Sequence, residues 1–197
     1  MSPDPRTKLL DMDDCCLVVI DVQDVFLNKL KTDIRQGLMQ RTLWIVQVAM
    51  KLNIPLVVTA EDISENGSVC NELSAILPPS GAVFNKMSFG LAADQDILQA
   101  IEKTQRQTCV LIGLETDVCV AQSAIGLVNA GYQVAALEDA CGSPQSGHER
   151  GLKRMQGSGV LISNIKAVYY EWLRDVPAVM EFNRRFRDEV GDPGIIL

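Results

Sequence analysis

Histidine is almost absent from this sequence of 197 residues, which contains only His148. A metal site built from several histidines is therefore excluded, and no Cys-x-x-Cys pair offers the thiolate alternative. The chain has six cysteines without regular spacing, namely Cys15, Cys16, Cys70, Cys109, Cys119 and Cys141. Because this pattern does not resemble a disulfide framework, we expect reduced thiols and a cytoplasmic protein. We also expect no cofactor.

Positive charge is also scarce. The chain has 18 lysines and arginines against 25 aspartates and glutamates, which gives a net charge of −7. An acidic chain argues against nucleic acid or an anionic membrane surface as the main partner. No apolar run approaches the length of a membrane span, and the N-terminus lacks the basic and apolar regions of a signal peptide. We expect residues 1–12, which contain two prolines, to form a flexible arm.

Short apolar runs alternate with helical patterns over the rest of the chain, residues 13–197. Continuous apolar runs are typical of strands that are buried on both faces, as in parallel sheets. The predicted strands are 15–22, 54–59, 82–84, 109–112, 133–137 and 160–163. The predicted helices are 33–52, 69–77, 94–103, one beginning at 117, 146–156, 166–174 and 178–189. This alternation, without a break in composition, predicts a single α/β domain with a mostly parallel sheet.

Three residues with reactive or charged side chains follow predicted strands. Asp21 ends the first strand, Lys86 follows the third, and Cys119 follows the fourth. Ligands of parallel α/β folds bind at the carboxyl ends of the strands, so we expect these side chains to share one site. The structural alternatives are a turn or helix cap for Asp21, a solvated loop residue for Lys86, and a small buried hydrophobic residue for Cys119.

Cys119 is predicted to lie in the first turn of the helix that follows the fourth strand. Backbone N–H groups in a first turn have no partner within the helix, and the helix dipole favours negative charge there. We therefore expect the pKa of the Cys119 thiol to be lowered and the same N–H groups to hold an oxyanion.

The same stretches resemble a known family. Residues 21–26, DVQDVF, resemble the D-x-Q-x-x-F opening of the isochorismatase-like cysteine hydrolases, and residues 113–120, GLETDVCV, resemble their G-x-x-T-D-x-C-V signature. Lys86 lies between these motifs, in the order that the family shows. The resemblance covers about residues 13–173. It implies a three-layer, Rossmann-like, doubly wound fold whose six-stranded sheet has the order 3-2-1-4-5-6, with helices on both faces.

The resemblance also implies a reaction. Asp21, Lys86 and Cys119 would form a catalytic triad that attacks a small amide or related C–N bond through a thioester intermediate. Asp21 would accept the thiol proton and return it to the leaving amine, while Lys86 balances the charges. The backbone N–H groups of Glu115 and Cys119 would form the oxyanion hole, and in such proteins the peptide bond before the residue at Glu115 is commonly cis.

Departures from the family pattern narrow the expected activity. Nicotinamidases of the family carry a D-x-H…H metal cluster after the second strand, whereas residues 59–65 here read TAEDISE. We therefore expect no metal site and a metal-independent reaction. True isochorismatases do not use the cysteine nucleophile, so Cys119 argues against that activity as well. Residues 71–78 and 86–90 are closer to the isochorismatase-domain-containing subgroup, whose substrates are largely unassigned.

Three further residues are candidates for contact with a small-molecule substrate. Gln23 could hydrogen-bond Asp21 or the substrate, and Phe26 and Phe89 could stack on a planar group, although aromatic residues near strand ends often pack in the core. Two other interpretations stay open: a metal-free hydrolase of another small electrophile, and a catalytically idle member that binds a partner protein.

Two polar residues near these motifs are given structural roles. Asp117 is predicted to be a helix N-cap. Residues 146–149, SGHE, form a predicted capping box that would leave His148 on the surface. The apolar C-terminal helices predict a buried or subunit-facing surface, and since relatives are usually oligomers we expect a homo-oligomer.

Overall fold

The fold is built on one six-stranded sheet in which all neighbouring strands are parallel. It was obtained as a computed structural model that describes residues 9–79 and 81–197. The strands are β1 (Cys15–Ile20), β2 (Leu56–Glu61), β3 (Val83–Lys86), β4 (Thr108–Leu114), β5 (Gln133–Gly142) and β6 (Leu161–Ser163). Their spatial order is β3-β2-β1-β4-β5-β6. The predicted fold class and strand order are therefore confirmed.

Helices connect the strands and cover the sheet. They are α1 (Asp24–Leu27), α2 (Thr32–Lys51), α3 (Ile63–Asn66), α4 (Asn71–Ser74), α5 (Gln95–Lys103), α6 (Ala121–Asn129), α7 (Gly147–Gly157), α8 (Ile165–Leu173) and α9 (Val176–Val190). A 3₁₀ turn covers Leu91–Ala93, and a π-helical turn covers Thr116–Val120. Within residues 9–79 and 81–197, no helix is both long enough and apolar enough to cross a bilayer.

The strands are buried on both faces, which explains their continuous apolar sequences. Alternate residues of β1 divide between two cores: Leu17 and Val19 join one, and Val18 and Ile20 join the other. The first core contains buried residues of α2, α8 and α9, and the second contains buried residues of α5, α6 and α7. Side chains alternate across a strand, so the sheet becomes the middle of three layers.

Four strands, β2 to β5, extend further at their carboxyl ends than their apolar patterns predict, and β2 and β4 show the reason. β2 ends at Glu61 instead of residue 59, because Glu61 is paired with Lys86 of β3. β4 ends at Leu114 instead of residue 112, because Leu114 is paired with Gly142 of β5. Pairing with the neighbouring strand therefore carries the polar residue Glu61 to the edge where ligands bind in such folds.

Most of the predicted flexible arm, residues 1–12, lies outside the described residues. The part that is described, residues 9–12, does not behave as an arm. The Leu10 side chain is buried in the first core, and its backbone N–H donates to Glu171 Oε2 at 2.5 Å. Arg174 donates to the Leu10 carbonyl oxygen at 3.3 Å. The packed part of the chain therefore begins before residue 13.

Gly113 of the sequence signature is required by the close approach of two strands. It lies opposite Ile20 in the pairing of β4 with β1, at a φ of +128°. A Cβ atom at this position would lie 1.9 Å from the carbonyl oxygen of Ile20. Only glycine avoids both the clash and the backbone strain, so the strand can pass directly beside the residue that precedes Asp21.

Replacement of Gly113 by alanine is expected to lower the free energy of unfolding by about 3 kcal/mol or more, since strain and a backbone clash add. Denaturant unfolding followed by circular dichroism measures the loss. Gly131→Ala is the matched control, because Gly131 also has a positive φ, +97°, but has open space around its Cα. Equal losses in the two variants would contradict the role assigned to the clash.

Candidate active site

The three predicted catalytic residues lie together at the carboxyl edge of the sheet. Asp21 directly follows β1, Lys86 is the last residue of β3, and Cys119 lies in the π-helical turn after β4. Lys86 Nζ is 2.9 Å from Asp21 Oδ2 and 3.6 Å from Cys119 Sγ. Asp21 and Lys86 are fully buried, and Cys119 is 3% exposed.

Asp21 and Lys86 form a buried ion pair with further polar partners. Thr59 Oγ1 donates to Asp21 Oδ1 at 2.9 Å, and Lys86 Nζ donates to the Ser88 carbonyl oxygen at 2.8 Å. Burial raises the pKa of Asp21, and the charge of Lys86 together with hydrogen bonds from Lys86, Thr59 and Cys119 opposes that rise. Removal of either partner would leave the other charge buried and uncompensated.

A second carboxylate, Glu61, contacts the sulfur. Cys119 Sγ donates to Glu61 Oε2 at 3.1 Å, and Lys86 Nζ lies 3.8 Å from the same oxygen. The Glu61 side chain is 19% exposed, so it is the least buried of the charged side chains around the sulfur. Sequence reasoning noted Glu61 only as part of the segment that replaces the metal-binding histidines. Its place just beyond a predicted buried strand was the signal available.

The predicted decrease of the Cys119 pKa is wrong in direction. Burial raises the pKa of this thiol, the charge of Asp21 raises it further, Lys86 lowers it, and the hydrogen bond to Glu61 raises it again. Cys119 also lies in a π-helical turn rather than in the first turn of an α-helix, since α6 begins at Ala121. The resting sulfur is therefore a thiol, and its attack on a substrate requires a nearby proton acceptor.

The turn between β4 and Cys119 begins with a cis peptide bond between Leu114 and Glu115. This is the bond that the family resemblance identifies. The Glu115 carbonyl oxygen accepts from the N–H groups of Val118 and Val120, both at 3.1 Å. These bonds close the π-helical turn that carries Cys119.

Phe26 and Phe89, two of the predicted substrate-binding residues, occupy different settings beside the site. Lys29 Nζ pairs with Glu115 Oε1 at 2.8 Å and lies 4.7 Å from the centre of the Phe26 ring, which is partly buried. Phe89 lies three residues beyond Lys86 and is 52% exposed. Phe26 is therefore linked to Glu115 in space through Lys29, whereas Phe89 is close to Lys86 in the chain.

Gln23, the third predicted substrate-binding residue, is fully buried beneath Glu61. Its Nε2 donates to the carbonyl oxygens of Glu61 and Gly67, at 2.9 and 2.7 Å, and its Oε1 accepts from the Glu61 N–H at 2.7 Å. With both amide protons and the oxygen bound to backbone, the side chain holds the end of β2. This geometry corrects the expected contact with substrate or with Asp21.

The expected roles of Asp117 and His148 are also corrected. Asp117 accepts a hydrogen bond from Ser143 Oγ at 2.6 Å instead of capping a helix. Ser146 makes no side-chain cap at the start of α7, and His148 Nδ1 lies 2.9 Å from Thr116 Oγ1. Burial lowers the pKa of His148. The reason is that α7 packs against the π-helical turn, which withdraws these side chains from the surface.

Asp21, Glu61 and Cys119 offer one ligand atom each within 4.8 Å of one another, the one such cluster among residues 9–79 and 81–197. A thiolate and two carboxylates could hold a divalent ion such as zinc. However, the Lys86 ammonium already lies among them, 2.9 Å from Asp21 and 3.8 Å from Glu61. The cluster therefore contains a cation of its own, which does not fit a resident metal ion.

Comparison with known proteins identifies the family. The model of the isochorismatase domain matches residues 15–166, which include all of the site described above. The chain belongs to the isochorismatase family. It is 33% identical over 163 residues to a protein of Phytophthora sojae named secreted isochorismatase effector Isc1, covering 81% of this chain and 77% of that protein.

A second relative supports the expected subgroup. Isochorismatase domain-containing protein 2 of Rattus norvegicus is 30% identical over 156 residues, covering 77% of this chain and 71% of the relative. Among solved structures, the YcaC gene product of Escherichia coli superimposes with a TM-score of 0.79 at 22% identity, covering 91% of each chain. The family and the superposition together give this chain an isochorismatase-type hydrolase fold.

Proposed function

We propose that this protein is a metal-independent cysteine hydrolase that cleaves a small amide or related C–N bond. The observation that carries the proposal is the placement of the Cys119 sulfur 3.6 Å from Lys86 Nζ, which in turn pairs with buried Asp21. A nucleophilic thiol needs a proton acceptor and a compensating charge, and this cluster holds both. The intact cluster favours catalysis over an idle, partner-binding member.

The proposed reaction begins with attack of Cys119 Sγ on the substrate carbonyl carbon. The thiol proton passes to a carboxylate beside the sulfur, and the carbonyl oxygen takes up the electron pair in the oxyanion hole formed by the N–H groups of Glu115 and Cys119. Collapse of the intermediate breaks the C–N bond, and the carboxylic acid returns its proton to the nitrogen. Water then hydrolyses the thioester, while Lys86 balances the negative charges throughout.

The proposed substrate is small because the reacting groups are almost entirely enclosed. Phe26 and Phe89 are the proposed apolar contacts for a flat amide group, one partly buried beside Lys29 and one exposed after Lys86. Aromatic faces favour planar groups of this kind. Metal independence is proposed because Lys86 already supplies the positive charge next to both carboxylates.

A panel of small primary amides, ureido compounds and matched esters tests the proposed function, with release of ammonia or alcohol as the measurement. We expect turnover of at least one amide or ureido compound. Prior incubation with EDTA is expected to leave that rate unchanged. Turnover of esters alone would favour another small electrophile. Turnover that EDTA abolishes and zinc or manganese restores would overturn the metal-free mechanism.

We also propose a homo-oligomer and a cytoplasmic location. The Escherichia coli YcaC gene product is an octameric hydrolase of unknown specificity, and two large apolar side chains of α9, Val176 and Met180, are about two-thirds exposed. The six cysteines are all free thiols, which suits a reducing compartment. Because the Phytophthora sojae relative is named as secreted, cell fractionation is the test of the proposed location.

A further inference from the structure

The well-formed hydrogen bond of the Cys119 thiol goes to Glu61, a carboxylate outside the predicted triad. Sγ donates to Glu61 Oε2 at 3.1 Å. Asp21 also lies beside the sulfur, and a contact with Cys119 opposes the rise that burial causes in its pKa, but its Oδ1 accepts from Thr59 and its Oδ2 lies 2.9 Å from Lys86 Nζ. A proton that leaves the sulfur along its existing hydrogen bond therefore reaches Glu61 first.

Several hydrogen bonds fix the backbone of Glu61. Its backbone N–H and carbonyl oxygen are both bound by the buried amide of Gln23, at 2.7 and 2.9 Å. Asn66 Nδ2 donates to the same carbonyl oxygen at 3.2 Å. On its other side, Glu61 is paired with Lys86 in the ladder between β2 and β3. The carboxylate is therefore aimed at the sulfur by fixed backbone.

The charges of the cluster favour transfer of the proton within the site. Two carboxylates and one ammonium already give a net charge of −1 when the thiol is neutral. Release of the thiol proton to bulk water would add a second negative charge in a largely buried place, which is costly. Transfer to Glu61 leaves the total charge unchanged.

We propose that Glu61 is a catalytic residue, which accepts the proton of Cys119 as the bond from sulfur to the substrate carbon forms and delivers it to the leaving nitrogen as the C–N bond breaks. Asp21 pairs with Lys86 and orients it, and Gln23 is the positioning residue that aims Glu61. This inference rests on the proposed cysteine hydrolase function, because it names the proton carrier of that reaction.

Alkylation by iodoacetamide tests this role without knowledge of the substrate. Sulfur forms a bond to the reagent carbon, iodide leaves, and the thiol proton must go to an acceptor. If Glu61 is that acceptor, the rate at Cys119 in the wild-type protein is nearly constant between pH 6 and 9, because no proton is exchanged with bulk water. Peptide mapping by mass spectrometry gives the rate at Cys119 alone.

Glu61→Gln removes the acceptor and keeps the size of the side chain. Burial and the charge of Asp21 still raise the pKa of the thiol in this variant. Its alkylation should therefore require hydroxide and accelerate about tenfold per pH unit, since only the thiolate reacts. Asp62→Asn is the matched control, because it makes the same acid-to-amide change one residue away, at a carboxylate that accepts from Ser64 Oγ. The control should keep the flat profile.

Two results would overturn the proposal. A flat profile in folded Glu61→Gln would assign the acceptor role to another group, and a tenfold rise per pH unit in the wild type would show that no internal acceptor works. The second result needs no variant, so the proposal stays testable even if Glu61→Gln does not fold. If the amide panel yields a substrate but Glu61→Gln has a flat profile, the proposed hydrolase function stands and the proposed role of Glu61 is wrong. An absence of substrate would leave the alkylation test intact.

Discussion

Cys119→Ala is expected to abolish turnover of any substrate found in the amide panel. The change removes the only atom proposed to bond with the substrate carbon, and loss of a covalent nucleophile lowers kcat by up to about 10⁶-fold. Ammonia release, measured with enough protein to detect a rate several orders of magnitude below wild type, gives the size of the effect. No thioester should be trapped by acid quenching of the variant during turnover.

Cys141→Ala is the control for this experiment. Cys141, near the end of β5, is also a buried free thiol. It belongs to the second core, and its sulfur lies 3.9 Å from the Leu111 carbonyl oxygen. Its replacement should cost some stability and leave turnover near the wild-type level. A folded Cys119→Ala protein that retains ordinary turnover would falsify covalent catalysis by this residue.

Asp21→Asn is expected to lower turnover at least about 100-fold, the size of effect seen when one electrostatic contact of a reacting cluster is lost. An amide cannot balance Lys86, which would then be free to turn toward Glu61, 3.8 Å away, and to leave its place beside the sulfur. The free energy of unfolding should also fall by about 3 kcal/mol, because a buried ammonium loses its partner. Turnover and denaturant unfolding are measured on the same purified protein.

The double variant Asp21→Asn with Lys86→Met separates these two effects. Methionine fills the space of the lysine stem without a charge, so the unfolding free energy should recover while turnover stays low. If the single variant folds and turns over at nearly the normal rate, Asp21 is a turn residue and the triad is incorrect. If the double variant recovers activity as well as stability, the ion pair serves the fold alone.

Sequence patterns alone predicted an α/β domain with a mostly parallel sheet and placed three residues of the candidate site at the ends of its strands. Buried parallel strands are nearly continuous in apolar residues, so each strand leaves a local signal, and the residue after it falls at a predictable edge. Asp21 and Lys86 were located in this way. The order of the strands, and the cis bond before Glu115, came from the family resemblance rather than from periodicity.

Tertiary structure decided what those residues contact. Glu61 reaches the Cys119 sulfur because the pairing of β2 with β3 carries the strand two residues further than its apolar pattern, and no local pattern records that pairing. Gln23 holds backbone 38 residues away in the chain for the same reason. Such contacts depend on how separate strands align, which short windows of sequence do not encode.

The shift of the Cys119 pKa shows most clearly what sequence and tertiary structure each determine. From sequence alone, a position near a helix start predicts a lowered pKa, because backbone N–H groups at a helix start favour negative charge. In the folded chain, burial and the carboxylates of Asp21 and Glu61 raise the pKa instead. Sequence determined which residue carries the thiol, whereas the packing of three distant strand ends around it determined whether that thiol is charged.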